Sequence, residues 1–339
     1  MIKLSKKIFL DGDISLLKDK TISVIGYGNQ GRAQARILKE LNGLDVIVGN
    51  IRDKSWDQAI SDGFKVYSIS EASRLADVLM ILVPDEVAPE VYSKEILPNI
   101  EKKEFCVIDF ASGYNVTYGY IRPPANSDLI LVAPRMIGAG ITDVVMVKRR
   151  GFPVLLGVYQ NISGKAWDYA LALAKGIGAL LPGGVAVESS FEEETLIDLF
   201  SEQFLAPSLI ASMVASFEVL TEEFGVSPEA ALLELYASGE MSEVFQAMAD
   251  LGFFKQLKYH SRTSQYGQLT NAFKMYSSPE LKENIRKTLF KIYDGSFAKE
   301  WAMEQYLGNP VFNRLWKIFE ESKMSKAEDK LYRILKRRE

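Results

Sequence analysis

The sequence predicts an α/β domain built on a parallel, doubly wound sheet, followed by an all-helical domain. Three observations carry this. The first half alternates short apolar, β-branched runs with helical patterns, as a parallel sheet flanked by helices requires. After Glu188 the character changes, and helical periodicity dominates to the C-terminus. Between the two lies Leu180-Leu-Pro-Gly-Gly184, a stretch of chain breakers that reads as a hinge. The expected limits are 1–183 for the first domain, 184–325 for the second and 326–339 for a charged helical tail.

In order, the candidate strands are Thr21–Ile25, Asp45–Val48, Lys65–Tyr67, Val78–Val83, Phe105–Asp109, Leu129–Val132 and Val154–Val158. Helical patterns such as Gln30–Leu41 and Trp56–Ser61 intervene, and Ser163–Ile177 closes the domain before Gly178. In the second domain Ser227-Pro-Glu229 is a helix start, with proline at the first helical position. The stretch Lys323–Glu339 carries apolar Leu331, Ile334 and Leu335 among many charges and reads as a solvated helix.

With 339 residues, 47% hydrophobic and 25% charged, the chain has room for two cored domains. A net charge of −4 argues against a nucleic-acid surface. The single cysteine, Cys106, sits in an apolar run and reads as a buried, inert thiol. One cysteine forms no disulfide within the chain, which suits a reducing cytosol. The N-terminus has no signal-like apolar core. No run of about 20 uninterrupted apolar residues suggests a membrane span. A soluble, cytoplasmic protein is expected.

Thr21-Ile-Ser-Val-Ile-Gly-Tyr-Gly-Asn-Gln-Gly31 is a strand running into Gly-x-Gly-x-x-Gly and a helix. Gly26, Gly28 and Gly31, with Tyr27, Asn29 and Gln30 between them, would form the tight turn of a dinucleotide site. The helix start then offers its N–H groups to the pyrophosphate. An acidic residue ending the second strand would select NAD. This strand instead ends at Asn50 and continues Ile51-Arg-Asp-Lys-Ser55. Arg52, Lys54 and the Ser55 hydroxyl would accommodate a 2′-phosphate, so NADP is favoured and NAD is the alternative. Asp53 would repel that phosphate if it pointed inward; alternatively Ser55 only caps the next helix.

Between Gly176 and Phe254 there are fourteen Asp or Glu residues and no Lys or Arg. Within this window Asp198 and Glu202 are four apart and share a helix face, with Glu194 one turn earlier. Glu192, Glu193 and Glu194 suit a helix N-terminus electrostatically. That does not account for Asp198 and Glu202. Oxygen-only donors with no nearby His or Cys point to Mg²⁺ or Mn²⁺.

Several ordered motifs resemble the ketol-acid reductoisomerases. They include Gly26-Tyr-Gly-Asn-Gln-Gly31, Ser55-Trp56, Val83-Pro-Asp-Glu86, Ala133-Pro134, Gly157-Val-Tyr-Gln160, Glu193-Glu-Thr195, Asp198-Leu-Phe-Ser-Glu-Gln203, Gln265-Tyr-Gly267 and Phe297-Ala-Lys-Glu-Trp301. The similarity spans roughly residues 10–316. It implies a Rossmann-like domain followed by a single knotted helical domain that dimerises. It also implies Mg²⁺-dependent alkyl migration in a 2-acetohydroxy acid and hydride transfer from NADPH, giving a 2,3-dihydroxy acid for branched-chain amino acid synthesis. On this resemblance Val83, Pro84, Asp85, Ser112 and Gly113 would border the cofactor. Asp198 would bridge two metals and Glu202 would hold one. Ser261 would contact the substrate carboxylate across a dimer.

The pattern breaks at three places. Phe110-Ala-Ser-Gly113 has Ser112 where the family has histidine near the nicotinamide. Ala133-Pro-Arg-Met-Ile-Gly-Ala139 has Arg135 in place of lysine and lacks a second histidine. Arginine keeps the charge but is a poor proton donor. The second acidic helix should carry two glutamates four apart. Aligning Glu234 puts Ser238 at the second position; aligning Glu240 puts Tyr236 at the first; Glu243 is a substitute ligand. The only histidine, His260, adjoins Ser261 and reads as structural. Three functions remain: a reductoisomerase with tolerated substitutions, a paralogous 2-keto or 2-hydroxy acid reductase without isomerisation, and a non-catalytic dinucleotide-binding assembly protein.

Overall fold

The computed structural model describes residues 6–337. By contact the chain divides into two compact units, Met1–Ile197 and Asp198–Glu339.

The first unit is a nine-stranded sheet with helices on both faces. Its strands are β1 (Ile8–Phe9), β2 (Thr21–Ile25), β3 (Asp45–Gly49), β4 (Lys65–Tyr67), β5 (Val78–Ile81), β6 (Cys106–Phe110), β7 (Ser127–Pro134), β8 (Pro153–Gln160) and β9 (Val185–Glu188). They lie in the order β1-β9-β8-β7-β6-β5-β2-β3-β4. From β4 to β7 all pairings are parallel. This is the doubly wound, Rossmann-like arrangement, with its crossover point between β2 and β5.

The seven expected strands are present, but the sheet is mixed rather than parallel. β8 runs antiparallel to β7, and β1 antiparallel to β9. The connection from β7 to β8 stays at one end of the sheet, pairing Pro134 with Val154, so the chain returns in the opposite direction. Leu180–Gly184 is a tight turn closed by the Gly184 N–H on Leu181 O at 2.9 Å. It feeds β9, which joins the sheet beside β8. By contact the compact units divide at Ile197/Asp198.

Alternation along the strands builds two cores. On one face Ile22, Val24, Met80, Val107 and Ile130 pack with residues of helices Asn29–Arg36 and Ala166–Gly176. On the other, Ile25, Leu79, Ile81 and Ile108 pack with helix Ile69–Leu75 and with Ala88, Tyr92 and Ile96. Each fully buried Ile or Leu contributes about 1.5–3 kcal/mol of transfer free energy. Cys106 is buried and unpaired, and burial pushes its thiol up to about 11.

The second unit is helical among its described residues. Ser227 caps the helix starting at Pro228 by accepting from the Ala230 N–H, as its sequence suggested. A small core joins Phe217, Ala231, Leu232 and Ala237 to Leu331. The C-terminal helix, Lys323–Ile334, is therefore docked rather than solvated. Lys323 pairs with Glu222 and Lys330 with Glu229, each at 2.7 Å. A continuous helix, Phe191–Glu223, has a mean hydropathy of 1.6 in its most apolar window, of which only 6% is buried. By length and composition it could cross a bilayer, which a search for uninterrupted apolar runs did not anticipate.

Candidate functional site

The glycine turn follows β2. Gly26 has φ +94°, a left-handed conformation, and a Cβ there would lie 2.9 Å from Leu82 O and from Val83. A Cβ on Gly31 would lie 1.9 Å from Gly26 O. Gly28 differs: its φ is −80° and a Cβ would meet nothing within 4 Å. Two glycines thus close the turn, while the third leaves space in front of a helix start that no side chain caps. A pyrophosphate fits that combination.

Asn50, at the end of β3, is 8% exposed and turned toward the protein. Its Oδ1 accepts from the Tyr27 N–H at 3.1 Å, and its Nδ2 donates to Asp53 at 2.9 Å. Asp53, not Ser55, caps helix Lys54–Ser61, accepting from the N–H groups of Ser55 and Trp56 at 2.9 and 3.0 Å. The Ser55-cap reading is corrected, because the Asp53 carboxylate already satisfies that helix start. The Asp53 carboxylate is thereby engaged by three donors, all on Oδ1. Arg52 lies 5.0 Å over the Trp56 ring. Tyr27 is 3% exposed and bonds Asp62 through its hydroxyl, so its ring is packing and only its backbone belongs to the turn.

The turn is braced from β7. Gln30 Nε2 donates to Met136 O at 3.1 Å. A Cβ on Gly138 would lie 2.8 Å from the Gln30 nitrogen, so this segment presses on the helix start.

A polar cluster occupies the C-terminal ends of β5, β6 and β7, where open α/β sheets bind ligands. The Ser112 hydroxyl donates to Asp85 at 3.1 Å and accepts from the Tyr114 N–H at 3.3 Å. Asn115 also donates to Asp85, at 3.1 Å. Glu194, 2% exposed, accepts from the Gly113 N–H at 2.8 Å and pairs with Arg135 at 3.1 Å. Thr195 Oγ1 lies 3.0 Å from Thr117 Oγ1. Glu194 is thus no solvated helix-start acid but an anchor that fixes the β6 and β7 loops together.

In the second unit Asp198 is half-buried and Glu202 exposed. The α-helix passes into a π turn at Ser201–Leu205, an irregularity frequent at functional sites. Glu234 and Glu240 are both exposed.

Family models match both halves. Residues 16–183 match the acetohydroxy acid isomeroreductase NADPH-binding domain, and 191–337 match the ketol-acid reductoisomerase C-terminal domain. The chain belongs to the ketol-acid reductoisomerase family. It is 56% identical over 332 residues to the putative ketol-acid reductoisomerase 3 of Saccharolobus solfataricus, covering 98% of each chain. It is 41% identical over 333 residues to the ketol-acid reductoisomerase (NADP(+)) of Pyrobaculum aerophilum, covering 97% of this chain and 98% of the relative. A solved NADH-preferring ketol-acid reductoisomerase from an uncultured archaeon superposes with a TM-score of 0.89 at 34% identity, covering 97% of this chain and 99% of that one.

Asp198 and Glu202 lie one turn apart along one helix, and carboxylate oxygens are the donor type that Mg²⁺ takes. Among the described residues no group of three or more His, Cys, Asp or Glu could by itself hold an ion. Ser261 caps helix Arg262–Tyr276, its Oγ accepting from the Ser264 N–H at 3.2 Å. His260 is held by Gln256 at 3.0 Å, as a structural histidine would be. Sequence reasoning missed Asn50, Asn115, Gly138 and the anchoring role of Glu194. The Glu193-Glu-Thr195 motif was the available signal for the last.

Proposed function

We propose that this chain is an NADPH-dependent, Mg²⁺-assisted oxidoreductase that reduces a small 2-keto acid, or a 2-hydroxy-3-keto acid, to the corresponding hydroxy acid. The observation that carries this is the open space over Gly28 at the crossover point, in a chain matched to the family over both domains. When bound, the cofactor supplies hydride and the cation polarises the keto and carboxylate oxygens. Gly26, Gly28 and Gly31 shape the pyrophosphate turn, and Val83, Pro84, Asp85 and Gly113 border it. Arg52 and Ser55 take the 2′-phosphate, consistent with Asp53 being turned into its helix cap. Asp198 and Glu202 hold the cation, with Glu240 or Glu234 as further candidates, and Ser261 meets the substrate carboxylate.

Ser112 and Arg135 are two of the replaced positions, and both are engaged by protein groups, Asp85 and Glu194. This favours reduction over alkyl migration as the retained chemistry. The full two-step conversion is the second reading, supported by NADP(+)-named relatives at 40–41% identity over nearly the whole chain. The exposed apolar surface of helix Phe191–Glu223 supports a homodimer, and the reading as a whole a soluble cytoplasmic enzyme.

NADPH oxidation with Mg²⁺ tests this. Turnover of 2-acetolactate supports both steps. Turnover of the rearranged 3-hydroxy-2-keto acid or simple 2-keto acids alone supports the reductase. No oxidation with any of them refutes the proposal.

A further inference from the structure

The family pattern asks for two carboxylates four residues apart on the second acidic helix, and the structure does not provide that helix. Residues Pro228–Leu232 continue as a π turn, Leu233–Ala237, which stops at Ser238. Gly239 then takes φ +92°, and a new helix, Glu240–Leu251, begins. A Cβ on Gly239 would meet nothing within 4 Å, so glycine is required there for its left-handed backbone and not for space. Tyr236 and Glu240 therefore sit on separate helices with a left-handed break between them. The i,i+4 geometry that would aim both side chains at one ion is absent.

The side chain at the first position has another partner. The Tyr236 hydroxyl donates to Glu328, on the C-terminal helix. That helix is fixed by Leu331 in the small core, by Lys323–Glu222 and Lys330–Glu229, and by Arg337 donating to Ala237 O at 2.5 Å. The alternative register fares no better. Opposite Glu234 stands Ser238, whose Oγ accepts from the Glu240 N–H at 3.3 Å. A phenol, neutral near pH 7, is also a poor ligand for a hard cation that selects carboxylates.

We infer that Tyr236 has become an internal tie to Glu328, and that the protein binds one divalent cation per protomer, at Asp198 and Glu202, rather than two. This rests on the proposed cation site, and the test separates the two claims. Mn²⁺ binding to the full-length protein, followed by electron paramagnetic resonance and calorimetry, should give one ion per protomer in the wild type and none in Asp198→Asn. Two ions in the wild type would overturn the inference while leaving the Asp198–Glu202 site standing. None in the wild type would overturn both. Tyr236→Phe, which keeps the ring, should retain one ion while Tm falls by roughly 2–4 °C through loss of the tie. An unchanged Tm would remove the tie and with it the argument.

Discussion

Asp109 offers a test of the physical description that is independent of catalysis. It lies on β6, fully buried, in register with Met80 and Ile130, both of the apolar core. Neither carboxyl oxygen reaches a hydrogen bond of acceptable geometry. Burial pushes its pKa well above the ordinary 3.8, against a weaker pull from the Val132 amide. The sign follows from proton counting. Below the unfolded pKa both states are protonated and the group is neutral to stability. Above it the unfolded chain loses the proton while the folded protein keeps it, so stability falls as pH rises until the folded pKa is reached. The loss is about 1.4 kcal/mol per pH unit across that window. Asp109→Asn keeps the shape and a neutral polar group but removes the titration. Calorimetric melts of both proteins at pH 4, 5, 6 and 7 should show the variant gaining on the wild type as pH rises above the unfolded value. A stability gap that does not vary with pH would refute the reasoning.

Gly28→Val should fold normally, since a side chain there meets no protein atom, yet weaken NADPH binding at least about tenfold by filling the phosphate space; unchanged affinity by fluorescence titration would count against the cradle. Ser55→Asp should shift the NADPH-to-NADH affinity ratio toward NADH by roughly tenfold or more, because it places a carboxylate where Asp53 is turned away. Glu194→Gln should cost about 1–3 kcal/mol in urea melts, less than a fully buried pair, because the Arg135 side chain is 30% exposed and can be solvated. No loss would mean that Glu194 does not anchor the loops.

What the sequence made legible was local. The strands from Thr21 to Val158 announced themselves as apolar β-branched runs, and the glycine turn by its spacing. β1 and β9 were not foreseen: β1 is two residues long and pairs only with β9, and β9 is held in the sheet by β8 on one side and β1 on the other. The antiparallel return of β8 was invisible because composition does not encode pairing direction. Ser55 was a plausible cap until Asp53, two residues earlier, proved the better-placed acceptor. Glu194 looked like a helix-start acid because its partner, Arg135, is 59 residues away in sequence. Similarly, nothing local in Lys323–Ile334 shows that Leu331 completes a core with Phe217 and Leu232. Long-range contacts decided each of these, and a window of ten or fifteen residues contains only one partner.

The central claim is that this chain moves hydride from NADPH to a keto acid held through a cation at Asp198. Single-turnover oxidation of bound NADPH, with a 2-keto acid and Mg²⁺, measures that directly. Oxidation is expected in the wild type, with its loss on chelation of the metal and its loss in Asp198→Asn with NADPH still bound. Oxidation that survives both treatments would contradict it.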